Sequence, residues 1–314
     1  MSSMDLSIAI PSWNTRELLK DCLESVYRSP GDFGFEVIIV DNASDDGSPD
    51  MVAEEFPDVK LVRNKINLGF AGACNIAFRH SLGRYFLLLN SDTIVLDNAL
   101  KSMVDFMDKH QHAGVAGCKL LNYDGSLQRS CSTFPGLMSE LFDALDLSKL
   151  FPKSRLFGGY AMTWWDFNNT REVDFAGGSC LIIRRDAIEE VGLLDESFFM
   201  YTEETDWCYR MWEQGWSIYY YPEARIIHLG GESARKYGND MLLHLYISRN
   251  KFIRKHRGNG TAVLHRMIIG MGAIFRLGIF TLARRTEGAS FQRKLFLWSL
   301  GKLPQSSLAG PGGA

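Results

Sequence analysis

The fold is decided by residues 35–48, which read FEVIIVDNASDDGS. A mostly apolar run ends there in a turn of acids, amides and small residues, which indicates a strand that is buried in a sheet. Asp41 stands at the carboxyl end of the strand, where its carboxylate can accept hydrogen bonds from a nucleobase imide or a ribose hydroxyl. A solvated turn with a helix N-cap explains Ser48 and Asp46 well, but it does not explain an acid as the last strand residue.

Strand and helix patterns alternate on both sides of this stretch. Further strands are predicted at LSIAIPSW (6–13), VKLVRN (59–64), RYFLLLN (84–90) and GVAGCKLL (114–121). Helices are predicted at TRELLKDCLESVY (15–27), at FAGACNIAFRHSL (70–82) and after Asp97, a predicted N-cap. This order predicts an α/β fold with a mostly parallel sheet flanked by helices, and ligands at the carboxyl ends of the strands. The less regular residues 122–172 are predicted to leave the sheet.

The composition is that of a folded globular protein. The chain has 314 residues, of which 46% are hydrophobic and 23% are charged, enough for one large or two modest domains. These values exclude a disordered chain and a small disulfide-stapled scaffold. The six cysteines form no C-x-x-C pair, so we expect buried free thiols. The first residues show no basic region followed by an apolar one, so we expect no secretory signal.

Charge is distributed unevenly along the chain. Residues 235–302 contain fourteen Lys or Arg and two acids, whereas the whole chain has a formal net charge of −3. We therefore predict a boundary near 235, between a domain at 1–235 and a helical, basic region at 236–314 that faces an anionic surface. The apolar content of this region favours a membrane over nucleic acid as that surface.

The apolar part of the basic region reads HRMIIGMGAIFRLGIFTLARR (265–285). Its longest uncharged run, Met267 to Phe275, is nine residues, short of a membrane span. On a helix the basic positions share a sector of about 100°, and the other faces are almost wholly apolar. These positions are His265, Arg266, Arg276 and Arg284. The pattern predicts a peripheral helix in the membrane interface, at the cytoplasmic face; the alternative is a helix packed on the body with a solvated basic edge.

Two more polar clusters follow predicted strands. Small residues in NLGFAGACN (67–75) open a helix and would leave backbone N–H groups for an anion, although close helix–sheet packing explains them too. The cluster is not G-x-G-x-x-G, which disfavours a dehydrogenase. Asn90, Ser91 and Asp92 come after YFLLL, where Asp92 can reach a divalent cation that holds a diphosphate. Such a triplet is common in turns, so by itself it is a weak indication of a binding site. It indicates a site more strongly as the third polar cluster at one sheet edge.

Acids and a histidine recur downstream. Glu203, Glu204 and Asp206 lie among aromatic residues, and a carboxylate in such surroundings can have a raised pKa and act as a general base. The structural alternative is a set of first-turn acids that favour the helix dipole, with an Asp206–Arg210 ion pair. His228 ends a predicted strand, where it can belong to the core or complete a metal site with Asp92.

Seven motifs occur in the order seen in family 2 glycosyltransferases with the Rossmann-like GT-A fold, and the chain most resembles the bacterial rhamnosyltransferase type. The motifs are PSWNTRELLKDCLESV, EVIIVDNASDDGS, NLGFAGACN, LLLNSDT, FAGGSCLIIRR, FMYTEETDWCYR and YPEARIIHLGGES, within roughly residues 6–235. The resemblance implies transfer of a sugar, with inversion and with Mg²⁺ or Mn²⁺, from a nucleotide diphosphate such as dTDP-L-rhamnose or a UDP-hexose. The implied acceptor is a hydroxyl of a glycan or of a polyprenyl-diphosphate-linked glycan in cell-surface polysaccharide synthesis.

The resemblance also implies a role for individual residues. The nucleotide sugar would be bound by Pro11, Trp13, Asn14, Asp41, Asn67, Gly72, Asn90 and Ser91. The metal would be held by Asp92 and His228, and the acceptor by Gly177, Gly178 and Trp207. The catalytic base would be Glu204, with Glu203 and Asp206 as alternatives.

Two departures from the family pattern keep alternatives open. Asn90 replaces the first acid of the D-x-D element and supplies less charge to a metal. Glu204 replaces an Asp, and the extra methylene moves the carboxylate by roughly 1.5 Å. A nucleotide-sugar-binding protein without catalysis therefore stays open, as does a nucleotidyltransferase, although PSWNTRE is not the Gly-rich basic loop of the latter. Assembly as a monomer or a homodimer also stays open.

Overall fold

The computed structural model describes residues 4–29, 31–198, 200–230 and 232–303. Residues 304–314 of the predicted C-terminal region lie outside the described residues. The chain divides into two compact units, the first made of Met1–Ser132 with Phe167–Glu232 and the second of Thr133–Asp166 with Ser233–Ala314. The C-terminal part of the second unit begins at Ser233, close to position 235, and the unit also takes in Thr133–Asp166 from the segment that was predicted to leave the sheet.

Twelve strands are defined in the described part of the chain. They are β1 Leu6–Ser12, β2 Phe35–Asp41, β3 Lys60–Arg63, β4 Tyr85–Leu89, β5 Thr93–Val95, β6 Ala113–Leu121, β7 Leu127–Gln128, β8 Cys131–Ser132, β9 Arg171–Glu172, β10 Phe175–Ala176, β11 Cys180–Arg184 and β12 Ser217–His228. The helices are α1 Arg16–Arg28, α2 Ser48–Glu55, α3 Gly69–Arg79, α4 Ala99–Lys109, α5 Leu137–Ala144, α6 Leu147–Leu150, α7 Arg185–Val191, α8 Glu203–Glu213, α9 Glu232–Leu282 and α10 Thr286–Ser299.

The first unit is built on a mixed sheet in the order β3-β2-β1-β4-β11-β6-β12-β5. Strands β3, β2, β1 and β4 are parallel, as predicted, and β6 is parallel to β12. Strand β11 lies antiparallel between β4 and β6, so the sheet is not parallel throughout. This arrangement brings the carboxyl ends of β1, β2, β4 and β12 and the start of β11 to one edge of the sheet, which we term the carboxyl edge.

Apolar strands and helix faces form the core of this unit. Strand β4, predicted from its apolar run, is buried along its whole length, and α1 buries Leu19, Cys22, Leu23 and Val26 as its helical spacing predicts. All six cysteines are buried and free, which confirms the prediction for them. The predicted N-cap Asp97 is wrong, because α4 has Asn98 at its N-cap position. Asp97 instead adopts a φ of +48° in the preceding turn, and its carboxylate pairs with Arg225 at 2.6 Å.

In the second unit, α9 reverses its direction at Gly258. The Asn250 side chain donates to the Ala262 carbonyl at 2.8 Å and lies 3.0 Å from Nδ1 of His265. In a straight helix, positions twelve and fifteen residues apart would be separated by about 18 and 22 Å. Gly258 has a φ of +85°, a conformation that glycine adopts without steric cost. Helix α9 is therefore a hairpin of two arms, one before and one after this glycine.

The second arm of α9 turns three of its four basic positions inward and leaves Arg284 exposed, so the predicted solvated basic edge is wrong for these three positions. His265 is completely buried, Arg266 donates to the Trp298 carbonyl at 2.7 Å, and Arg276 binds the Asp146 carboxylate at 3.1 Å. The outward face is instead apolar, and we term it the apolar stripe. It consists of Val263, Leu264, Met267, Met271, Ile274, Phe275, Ile279 and Leu282, which are between 45% and 88% exposed.

Met241–Leu282 is long and apolar enough to span a membrane by composition, with a mean hydropathy of 1.5 in its most apolar window. This differs from the expectation drawn from the longest uncharged run. The reversal at Gly258 divides the stretch, however, so it does not run as one straight rod. One third of the window is buried inside the protein, which leaves the apolar stripe as its main unpartnered surface.

A buried charge cluster joins α5 to both arms of α9. Glu140 is 1% exposed, and its Oε1 pairs with Arg249 at 3.3 Å while its Oε2 lies 3.7 Å from Nε2 of His265. Arg249 also donates to the Tyr160 hydroxyl at 2.8 Å. The nearby Arg249 guanidinium and His265 hold the pKa of Glu140 below its usual value in spite of burial. Buried charges thereby tie the segment 133–166 to the α9 hairpin.

Candidate active site

Asp41 ends β2 at the carboxyl edge, opposite Ser12 of β1. It is 3% exposed, its Oδ2 accepts a hydrogen bond from the Ser44 N–H at 3.1 Å, and its Oδ1 has no hydrogen-bond partner among the described residues. A buried acceptor without a partner costs about 1–3 kcal/mol, so this oxygen is suited to a donor on a ligand. The turn explanation holds for Asp46 and Ser48, since Asp46 accepts hydrogen bonds from the Ser48 N–H and hydroxyl.

The loop after β1 is fastened to the turn after β2. The Asn14 N–H donates to the Ser44 hydroxyl at 2.9 Å, and the Asn14 side-chain oxygen accepts from the Asp45 N–H at 2.9 Å. Pro11 lies in β1 opposite Val40, and Trp13 lies half-buried in the loop. The end of β1 and the loop after it thus bring Pro11, Trp13 and Asn14 close to Asp41, with Asn14 in a left-handed conformation at a φ of +54°.

The start of α3 lies beside the same turn. The Asn42 side chain donates to the Gly69 carbonyl at 3.1 Å, and Asn67 Oδ1 accepts from the Gly69 N–H at 2.8 Å. Ala71 and Ala73 are buried, as the close-packing explanation requires, and a Cβ at Gly72 would come within 3.0 Å of the Leu68 side chain. The small residues therefore serve the packing of α3, whose N-terminus points to the carboxyl edge.

Asp92 and His228 form the next part of the edge. Oδ1 of Asp92 lies 3.3 Å from Nε2 of His228, and the Asp92 carbonyl accepts from the Leu229 N–H at 2.9 Å. Nε2 of His228 is also 3.5 Å from the Asn90 amide and 3.3 Å from the Ser179 hydroxyl. Ser91 is buried and accepts a hydrogen bond from the Thr15 hydroxyl at 3.0 Å. The sequence predicts the Asp92–His228 pair correctly as neighbours, although 136 positions separate them.

The three acids at the start of α8 have different surroundings. Glu204 is partly exposed. Burial raises its pKa to about 7, although hydrogen bonds from backbone N–H groups lower the pKa in part. Glu203 is 4% exposed, and burial together with the Glu204 charge raises its pKa well above its ordinary value. Asp206 is fully buried and pairs with Arg210 at 2.9 Å, the predicted structural pair. Glu204 is thus the acid of the three that combines access with a perturbed pKa.

Backbone strain accompanies these acids. Tyr201 and Thr202 have φ values of +65° and +74° directly before α8. A β-branched residue such as threonine is rarely found in this region, and such strain collects at functional sites. Trp207, one turn into α8, is buried and donates to the Gly192 carbonyl at 2.8 Å, which holds the helix in place.

Gly178 and Ser179 connect the two halves of the edge. A Cβ at Gly178 would lie 3.9 Å from the Glu204 side chain and 3.5 Å from the Phe70 ring of α3. The hydroxyl of the next residue, Ser179, lies 3.3 Å from Nε2 of His228, and the Ser179 carbonyl accepts a hydrogen bond from the Asn90 N–H at 3.0 Å. Adjacent Cα atoms are 3.8 Å apart, so the two-residue bridge Gly178–Ser179 has Glu204 beside its first residue and His228 beside its second. Gly177 precedes this bridge and donates to the Ser130 carbonyl.

The sequence did not indicate Ser179, Phe70 or Gln128 as members of this site. Gln128 accepts a hydrogen bond from Nδ1 of His228 at 2.6 Å. The motif FAGGSC contains Ser179, but only the antiparallel insertion of β11 beside β4 brings that residue to His228. An insertion of this kind cannot be read from hydrophobic periodicity, because parallel and antiparallel buried strands share one pattern.

A family profile described as "Glycosyl transferase family 2" matches residues 7–192. The chain belongs to this family. It is 28% identical over 221 residues to the N-acetylglucosaminyl-diphospho-decaprenol L-rhamnosyltransferase of Mycobacterium tuberculosis, over 67% of this chain and 70% of that protein. It is 22% identical to the dTDP-rhamnosyl transferase RfbF of Shigella flexneri, over 80% of this chain and 77% of that protein. The protein is thus a glycosyltransferase of glycan synthesis with rhamnosyltransferase relatives.

Solved structures of other glycosyltransferases share the fold of this chain. The mannosyltransferase PcManGT of Pyrobaculum calidifontis, in complex with GDP-Man and Mn²⁺, superposes with a TM-score of 0.59 at 17% identity, over 95% of this chain and 86% of that one. TarS residues 1–349 of S. aureus, in complex with UDP-GlcNAc, superpose with a TM-score of 0.53 at 16% identity, over 95% and 93% of the two chains. These similarities confirm the predicted GT-A-like fold.

The residues of this family 2 protein fit a divalent cation that is shared with a substrate. Within the described ranges, no three His, Cys, Asp or Glu side chains group closely enough to enclose a metal alone. Asp92 Oδ1 and His228 Nε2 are 3.3 Å apart, close to the separation of about 3.0 Å between neighbouring ligands of an octahedral ion. Mg²⁺ and Mn²⁺ in such sites take their other oxygens from substrate phosphates and water, which suits a two-residue site.

Proposed function

We propose that this protein is an inverting, divalent-cation-dependent glycosyltransferase that moves L-rhamnose from dTDP-rhamnose to a hydroxyl of a polyprenyl-diphosphate-linked glycan. The observation that carries the proposal is the Gly178–Ser179 bridge, with Glu204 beside Gly178 and the Asp92–His228 pair beside Ser179. A sugar seated over this bridge would have its leaving group beside the metal pair and its opposite face toward Glu204. The names of the mycobacterial and Shigella relatives support the choice of sugar, nucleotide and acceptor class.

Each part of the proposed site then has a chemical task. The unpartnered Oδ1 of Asp41 accepts from the imide N–H of the pyrimidine, and the loop that holds Trp13 and Asn14 covers the base. The N-terminus of α3 faces the diphosphate and favours its negative charge. A cation held by Asp92 and His228 would supply Lewis-acid charge to the departing diphosphate, so no second protein acid is needed there.

Glu204 is the proposed base. As the acceptor oxygen attacks the anomeric carbon from the face opposite the diphosphate, the Glu204 carboxylate takes the hydroxyl proton, and the C–O bond to the nucleotide breaks. A single displacement of this kind inverts the anomeric centre. Gly178 leaves room beside Glu204 for the acceptor, since a side chain there would fill the space between Glu204 and Phe70.

Transfer assays with purified protein test the proposal. We expect Mn²⁺-dependent transfer from dTDP-rhamnose to a polyprenyl-diphosphate-GlcNAc acceptor, in preference to UDP-glucose or UDP-GlcNAc as donors. Asp92→Ala should lower transfer by about 100-fold or more, since charge stabilisation at the leaving group is lost. Asp186→Ala, on the exposed surface of α7, is the matched control and should be unaffected. Donor binding without transfer or hydrolysis would favour the non-catalytic alternative.

We also propose that the protein is peripheral to the cytoplasmic face of the membrane through the apolar stripe. Its side chains extend from Val263 to Leu282, a length of about 28 Å. Exposed basic residues flank the stripe at both ends, with Arg254, Lys255 and Arg257 near the hairpin turn and Arg284 and Arg285 after the second arm. Such an arrangement suits a helix that lies in the interface of an anionic membrane, where a lipid-linked acceptor is found.

A further inference from the structure

A chain of hydrogen bonds runs from the β6–β7 hairpin to His228. Residues 122–126 form the hairpin turn, and strand β7 follows with Gln128 as its last residue. The Ser126 N–H and hydroxyl both donate to Asp124 Oδ1, at 2.9 and 2.6 Å. These hydrogen bonds hold the pKa of Asp124 below its usual value, so its carboxylate is ionised and can only accept.

The direction of each hydrogen bond in the chain follows from that carboxylate. The Ser126 hydroxyl has its proton engaged with Asp124, so its oxygen accepts from the Asn122 amide nitrogen at 2.9 Å. This orients the Asn122 side-chain oxygen toward Gln128, whose amide nitrogen donates to it at 3.1 Å. The Gln128 nitrogen also donates to the backbone carbonyl of His228 at 3.4 Å, and a carbonyl can only accept.

With its nitrogen so engaged, Gln128 presents its oxygen to His228. Gln128 Oε1 lies 2.6 Å from Nδ1 of His228, so Nδ1 must carry the proton in the neutral ring. Nε2 then keeps its lone pair and faces Oδ1 of Asp92 at 3.3 Å. Two acceptors that face each other repel unless a cation or a donor lies between them. The Ser179 hydroxyl and the Asn90 amide can supply such a donor in the metal-free protein.

We propose that the relay Asp124–Ser126–Asn122–Gln128 fixes the tautomer of His228, so that Nε2 faces Asp92 as a bare metal ligand. Gln128 is in this sense a positioning residue, since it acts through His228 and contacts none of the proposed substrates. The inference rests on the proposed metal site, but it concerns residues that neither the family motifs nor the relatives' names assign. Partners of this kind typically change metal affinity by about 10- to 100-fold when they are removed.

The tautomer can be measured without metal and without turnover. In protein labelled with ¹⁵N-histidine at pH 8, long-range proton–nitrogen correlation distinguishes the protonated from the bare ring nitrogen, and His228→Ala identifies the signal among the seven histidines. We expect His228 to carry its proton on Nδ1 in the wild type. In Gln128→Met, which keeps the length but not the acceptor, we expect the proton to move wholly or partly to Nε2. A wild-type proton on Nε2, or an unchanged tautomer in Gln128→Met, would overturn the relay.

Mn²⁺ titration followed by electron paramagnetic resonance, in the presence of dTDP, gives the second readout. Gln128→Met should weaken Mn²⁺ binding by about 10- to 100-fold. Gln128→Glu keeps an acceptor for Nδ1 but loses the nitrogen that donates to Asn122 and to the His228 carbonyl, so it should lose clearly less affinity than Gln128→Met, while Gln111→Met on the surface should change nothing. Equal losses in Gln128→Glu and Gln128→Met would show a merely structural role and refute the proposal. Absence of rhamnosyl transfer with an intact tautomer effect would instead reject the proposed function alone.

Discussion

Replacing Glu204 by Gln should abolish catalysis and stabilise the protein at the same time. Burial raises the pKa of Glu204 from its ordinary value of 4.5 to about 7. Below pH 4.5 the carboxyl group is protonated in both the folded and the unfolded chain, so burial carries no electrostatic penalty. Above pH 7 it is ionised in both, and the folded chain bears the full penalty, about 3 kcal/mol at about 1.4 kcal/mol per pH unit. Glutamine imitates the protonated acid and removes this penalty.

The same pKa sets the pH dependence of transfer. A base with a pKa of about 7 is about 10% ionised at pH 6 and about 90% ionised at pH 8, so kcat/KM of the wild type should rise by nearly tenfold between them. Steady-state transfer from dTDP-rhamnose measures this profile. Loss of the base should lower kcat in Glu204→Gln by about 100-fold or more at pH 8, while donor binding stays within a few-fold.

Denaturant titrations at pH 5 and pH 8 measure the stability effect. Glu204→Gln should gain stability over the wild type at pH 8 and little at pH 5, while Glu213→Gln, at the exposed end of the same helix, should match the wild type at both. A destabilised Glu204→Gln at pH 8 would refute the burial argument. Full activity in this variant would move the base to another group.

Asp41→Asn should weaken dTDP binding by about 10- to 100-fold, because a charge-assisted hydrogen bond to the base is worth about 1.5–3 kcal/mol. Isothermal titration calorimetry with dTDP measures the affinity. Unchanged affinity would show that Asp41 does not belong to the nucleotide site. The triple variant Leu264→Gln, Met271→Gln and Ile274→Gln should lower binding to phosphatidylglycerol-containing vesicles by about 100-fold, at about 1 kcal/mol for each half-exposed side chain. Tyr123→Gln, an exposed apolar residue elsewhere, is its control, and equal sedimentation of all three proteins would refute the membrane surface.

The sequence predicts the carboxyl edge because every cluster follows an apolar strand. Asp41, Asp92 and His228 each stand at the end of such a run, and strands that run parallel must bring their ends to one edge. Glu204 is a candidate for a different reason. Burying a carboxylate among aromatic residues costs free energy, so its presence there indicates a function. Periodicity therefore predicts the shared edge for Asp41, Asp92 and His228, whereas the choice of Glu204 among the three acids comes from the resemblance to family 2 glycosyltransferases.

Other features depend on contacts that periodicity does not encode. The basic positions of 265–285 share one helix sector, but Arg276 and Arg266 turn inward because the Asp146 carboxylate and the Trp298 carbonyl accept their hydrogen bonds. The reversal at Gly258 depends on a single left-handed glycine within a sequence that favours helix on both sides. No sequence pattern marks Gln128, since it reaches His228 only when β7 pairs with β6.

The ion pair between Glu140 and Arg249 has a consequence for hybrid enzymes. Exchanging the C-terminal region of this chain for that of a relative, with the join near 235, would leave Glu140 of the recipient facing a foreign α9 hairpin. A buried carboxylate stripped of its partner costs about 3–5 kcal/mol, a large fraction of the stability of an ordinary domain. Grafts of the C-terminal region should therefore carry residues 133–166 and the α9 hairpin together.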